Sequence, residues 1–206
     1  MIRVPIPCKH LPAGGGEAKF APGVRFVDER EQMVALVRIP ESSRQHGVGK
    51  FFHDVFRRNQ HELELLVDGR REIYTKVELG PLDLVDAAGR ACGQMTAKMS
   101  MMRVPASRDR VTVHDENGAE VGFLEYSQGL TKTDVRIEET ATAGKFHFER
   151  HPQPGPIDET PLERVKRYLA VQPMLYGSVV DIDARLLMAV AYYFDFLRDV
   201  GGPDPL

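Results

Sequence analysis

DIDARLLMAVAYYFDFLRDVGG (residues 181–202) holds nine consecutive residues, Leu186 to Phe194, without a charge, an amide or an aliphatic hydroxyl. Asp181 or Asp183 can cap the start of a helix here, and Gly201-Gly202 followed by Pro203 ends it. A helix over residues 183–199 is about 26 Å long, and Asp195 interrupts its apolar part before it reaches the ~20 residues a membrane span needs. A helix that is apolar all round has to be surrounded by apolar material on every side. The stretch therefore calls for a wall supplied by the rest of the chain. Within such a wall Asp195 must find a partner or emerge at the rim, and emergence is the expectation.

The wall is written as a repeat. LDLVDAAGRACGQM (82–95) and VTVHDENGAEVGFL (111–124) share the pattern apolar-x-apolar-x-Asp-x-x-Gly-x-x-apolar-Gly-x-apolar, at a constant offset of 29 residues. Alternating apolar residues specify a strand with one face on a core. An Asp three residues before a Gly specifies a tight turn, because the carboxylate bonds the turn's backbone and Gly accepts positive φ. The second glycine, Gly93 or Gly122, suits a bulge or a close approach of another backbone. VRFVDEREQMVALV (24–37) fits as a worn third copy, with Glu31 where the turn glycine belongs. Two more hairpins are expected, at 63–77 around Asp68-Gly69 and at 135–150 with Gly144 near its turn.

These signals amount to nine or ten strands over residues 24–150, mostly in sequential hairpins. Closure would remove the exposed edges of such a sheet. The expected fold is mainly β (α+β): a hairpin-built antiparallel β-barrel, or a strongly curved sheet, enclosing a hydrophobic C-terminal helix. The chain reads as a single domain over 1–206. The interval from Pro40 to Gln60 fits no strand. Thr160-Pro161-Leu162-Glu163 is a capping box that opens a short amphipathic helix over 160–170. In QMTAKMSMMR (94–103), Met95, Met99 and Met101 share a face suited to packing around the terminal helix.

LDLVDAAGRACGQM, VTVHDENGAEVGFL and the terminal DARLLMAVAYYFDFL together resemble the tubby C-terminal-like superfamily, in particular the phospholipid scramblase and LURP-one-related proteins. In that family repeated hairpins of this form build a closed barrel around a hydrophobic C-terminal helix. The resemblance covers roughly residues 63–199, and from Val24 if the worn copy is included. It implies a non-enzymatic domain that works at membrane surfaces or binds lipid headgroups. The chain departs from the family in its smaller expected strand count, since the family barrel usually has twelve. It also carries no cysteine-rich or proline-rich stretch like those of the scramblases, and no clear set of calcium ligands.

Composition adds limits. A net charge of −3 gives no general reason to expect nucleic acid as a partner. Cys8 and Cys92 are too few and too far apart for a disulfide framework, and neither belongs to a Cys-x-x-Cys pair. With no signal-like or membrane-spanning run, a cytoplasmic protein, peripheral at the membrane, is the expectation.

The residues best suited to an anionic membrane surface are Lys50, Phe52, Phe56, Arg57 and Arg58 in GKFFHDVFRRNQH (49–61). On a helix the two phenylalanines share a face with the cations at its margins. A surface helix packing its Phe residues on the domain has the same spacing. The seven histidines are scattered, with no His-Glu-x-x-His and no paired cysteine, so no metal or other cofactor is expected. No catalytic motif is identifiable. The alternatives to lipid binding are a protein-interaction or regulatory module without a lipid role, and an enzyme with a pocket at the barrel mouth.

Overall fold

The computed structural model describes residues 2–12, 23–38, 40, 61–77, 80–98, 108–128, 133–142, 144–149 and 174–193. Twelve strands form a closed antiparallel barrel. They are β2 (Cys8–Pro12), β3 (Gly23–Val27), β4 (Met33–Arg38), β5 (His61–Val67), β6 (Arg70–Val77) and β7 (Leu82–Asp86). β8 (Ala91–Lys98), β9 (Arg108–His114), β10 (Glu120–Gln128), β11 (Thr133–Glu139), β12 (Gly144–Glu149) and β13 (Met174–Gly177) complete it. Each strand lies beside its neighbours in sequence, and β13 closes the ring on β2 through Met174↔Lys9 and Leu175↔Cys8. Two further strands, β1 (Arg3–Pro5) and β14 (Asp181–Asp183), pair with each other, and β14 leads directly into helix α1 (Ala184–Ala191).

The nine or ten strands expected over residues 24–150 match the ten found there, β3 to β12, and the barrel's other two come from either side of that span. β1, β2, β13 and β14 went unread because prolines at 5, 7 and 12 interrupt the first pair and the last two are only three or four residues long. Asp181, a candidate helix cap, belongs to β14. The cap is Asp183, whose side chain accepts from the Arg185 N–H at 2.9 Å.

Strand alternation aims one row of side chains inward: Val24 and Phe26, Ala35 and Val37, Leu63 and Leu65, Leu82 and Leu84, Val111 and Val113 are all buried. Every residue of α1 is buried, as are Tyr192 and Tyr193 after it. They share one continuous core with at least one residue from each of the twelve barrel strands, including Cys8, Ile73, Met95, Leu124, Ile137, Phe146 and Leu175. Walls on all sides mean that the helix fills the barrel. Twelve strands enclose more room than their own side chains fill, and the helix supplies the missing volume. Each buried Leu or Val along it contributes roughly 1.5–3 kcal/mol. Met95 packs in this core as expected, whereas Met99 and Met101 lie outside the described residues.

The three repeat copies form three turns with the same hydrogen bonds. Asp28 Oδ1 accepts from the N–H groups of Arg30 and Gln32, both at 2.8 Å. Asp86 does the same with Ala88 and Arg90, and Asp115 with Asn117 and Ala119, at 2.8–2.9 Å. In each turn the third residue after the Asp donates its N–H to the Asp carbonyl at 3.0 Å. That residue has φ of +81° at Gly89, +80° at Gly118 and +62° at Glu31. The worn copy is a true copy, built with a side chain in a glycine conformation.

The second glycine of the repeat is fixed by close approach. A Cβ on Gly93 would collide with the His114 carbonyl oxygen, and one on Gly122 with the Glu138 carbonyl oxygen. Ala35 takes the corresponding place in the first copy and is buried.

Candidate functional site

The two rims of the barrel differ. The short turns after β3, β5, β7, β9 and β11 lie at one rim, together with β1, β14 and the start of α1. The connections after β2, β4, β8, β10 and β12 leave from the other rim, which the C-terminal end of α1 approaches. There the Tyr193 hydroxyl donates to Asp109 Oδ2 at 2.8 Å, and its ring lies 5.5 Å from that of Tyr126.

Lys50, Phe52, Phe56, Arg57 and Arg58 lie outside the described residues, as do the 160–170 segment and Asp195. β4 ends at Arg38 and β5 begins at His61, so the connection that carries the five starts and finishes at the long-connection rim. The geometry among those five residues is not part of the described structure.

At the short-turn rim the described residues form two linked charge clusters. The Glu139 carboxylate, on the inner side of β11, has no solvent-exposed side-chain surface and is clasped by the Arg3 guanidinium. It also accepts from the Thr142 hydroxyl at 2.8 Å and the Asp183 N–H at 3.3 Å. Arg3 Nε donates to Asp181 Oδ1 at 2.8 Å. Within the first turn of the helix, Arg185 Nη2 meets Asp183 Oδ2 at 2.7 Å, and Nη1 donates to the Cys92 carbonyl of β8 at 2.7 Å. Burial alone would lower the Arg185 pKa, but the hydrogen bond and charge of Asp183 outweigh it and hold the guanidinium above its ordinary value. The sequence carries only part of the signal for this pair: DIDAR places an arginine two positions after a capping aspartate, and its burial is set by the helix's position in the barrel.

On the outer wall, the Phe123 ring is covered by two arginines, with the Arg110 guanidinium 3.7 Å and that of Arg136 5.5 Å from its centroid. Arg110 also pairs with Glu120, and Arg136 with Glu138, so the patch is balanced in charge.

The other reactive groups have structural duties. Asp86 and Asp115 sit below the usual carboxylate range, Asp86 chiefly through the Arg90 backbone N–H and Asp115 chiefly through that of Ala119. Burial pushes the Cys8 thiol up to about 12, which leaves it un-ionised and a poor nucleophile. Burial also raises Cys92 and Tyr192. Among the described residues no group of three or more His, Cys, Asp or Glu could hold a metal ion. None of their helices is long and apolar enough to cross a membrane.

The described residues define a closed twelve-stranded antiparallel barrel filled by a helix, with charge clusters that hold the helix in place. No protein-family model, curated protein or solved structure matches the chain.

Proposed function

We propose that this chain is a non-enzymatic, cytoplasmic domain of the tubby-like and scramblase-like kind, peripheral at the membrane, that binds anionic lipid headgroups. The observation that supports the reading most is the twelve-stranded barrel closed around an apolar C-terminal helix, the arrangement the family resemblance implies. The one departure in strand count read from the sequence falls away with it. Because the helix occupies the interior, lipid contact falls to the outer surface and the rims. Lys50, Arg57 and Arg58, with Phe52 and Phe56, carry that contact in this reading, from the connection between β4 and β5.

Flotation with vesicles of phosphatidylcholine, with and without phosphatidylserine, tests it. A basic residue near an anionic surface is worth about 1 kcal/mol. Converting Lys50, Arg57 and Arg58 to Gln should therefore weaken binding by roughly two orders of magnitude at low salt. Binding should fall as salt rises. No association with anionic vesicles at low ionic strength overturns the reading.

A further inference from the structure

We propose that β1 is a latch across the short-turn mouth of the barrel, with Arg3 as its catch, and that it opens without unfolding the barrel. β14 lies outside the barrel ladder, and its strand partner is β1, in the register Arg3↔Asp183, Val4↔Ile182 and Pro5↔Asp181. The ladder continues at both ends. Ile6 N–H donates to the Val180 carbonyl at 2.8 Å, and Ala184 N–H donates to the Ile2 carbonyl at 3.0 Å. The second bond satisfies a first-turn amide that the helix itself cannot. β1 therefore holds both β14 and the first turn of the enclosed helix.

The hold is electrostatic more than hydrophobic. Val4 is the one fully buried side chain of β1, and Ile2 and Ile6 are partly buried beside it. Arg3 is the cation on Glu139 among the described residues, and it bridges that carboxylate to Asp181. Arg3 keeps about a quarter of its side-chain surface in solvent, whereas Glu139 keeps none. Water can reach the catch, but a released catch strands a buried carboxylate. The twelve-strand ladder contains no hydrogen bond to β1. Opening therefore costs a short ladder, one ion-pair cluster and the exposure of Val4, and the closed barrel survives it. The latch sets the accessibility of residues 181–185 independently of the barrel's global stability.

Native-state hydrogen exchange on Arg3→Gln, and on the double variant Arg3→Gln/Glu139→Gln, tests this. In Arg3→Gln, exchange at Ile182, Asp183, Ala184 and Arg185 should accelerate about a hundredfold, while Val111, Val113, Leu124 and Tyr126 keep their rates. Glu139→Gln removes the stranded charge, so the double variant should recover most of the lost protection. Equal acceleration in the strands, no acceleration at 182–185, or no recovery in the double variant each overturns the latch.

Discussion

Glu31→Gly should stabilise the protein, although it deletes a side chain and adds flexibility. Glu31 has φ +62°, where its counterparts are Gly89 and Gly118 at +81° and +80°. A left-handed conformation costs a residue with a Cβ roughly 1–2 kcal/mol relative to glycine. The greater freedom of glycine in the unfolded chain returns about 0.4–1 kcal/mol of that. Little else is lost. Glu31 is mostly exposed, and its contact with Lys9 spans 3.9 Å, a surface pair of small worth. The turn bonds come from Asp28 and the backbone and survive the change. The net gain is about 0.5–1 kcal/mol, a rise of roughly 1–4 °C in Tm for a chain of this size. The reverse change supplies the control. A Cβ on Gly118 meets nothing within 4 Å, so Gly118→Ala isolates the backbone term and should cost about 1 kcal/mol. Urea unfolding of both variants, read at constant m, decides the matter. If Glu31→Gly destabilises while Gly118→Ala is harmless, the three turns do not share a geometry and the repeat argument fails.

Other consequences concern the core and titration. A Cβ on Gly177 would enter the Phe146 ring across the β12–β13 pair. Gly177→Ala should therefore cost about 1–3 kcal/mol in thermal or urea unfolding, and Phe146→Leu in the same molecule should soften that penalty. Cys8, buried with its pKa pushed up to about 12, should react with a thiol reagent only as fast as the barrel unfolds. The half-buried Cys92 should react sooner, and equal rates would contradict the burial of β2. Asp86 and Asp115 have folded pKa values below the ordinary 3.8. Their contribution is therefore fully present above about pH 4 and is lost as pH falls through the lowered folded values. Asp86→Asn and Asp115→Asn should flatten the acid limb of stability against pH, and an unchanged limb would show that the turns do not hold these carboxylates.

The repeat made the barrel's middle legible because each copy combines two independent signals, period-two hydrophobicity and an Asp-x-x-Gly turn. Its second glycine pointed to a close approach, and Gly93 and Gly122 both meet a neighbouring carbonyl. Glu31 made the third copy look worn, because strain that the surroundings impose leaves no mark in composition. The strands at the two ends of the chain were opaque for another reason. Arg-Val-Pro and Asp-Ile-Asp are too short to show a period, and each is ordered by its partner across the barrel mouth. Asp183 was legible as a cap, but its second role, neutralising the buried Arg185, depends on where the helix sits. The candidate lipid site rests on residue types in the 49–61 segment, which names a chemistry without fixing a geometry.

The central claim is that residues 186–193, beyond the reach of the latch, are enclosed by the barrel, and amide exchange at Leu186–Ala191 tests it most directly. A free helix of this length in water is marginal and would exchange quickly. An enclosed one opens only when the barrel does. The opening free energy at these amides should therefore equal the global unfolding free energy from denaturant titration. Values several kcal/mol below the global one, with the strands still protected, would contradict enclosure.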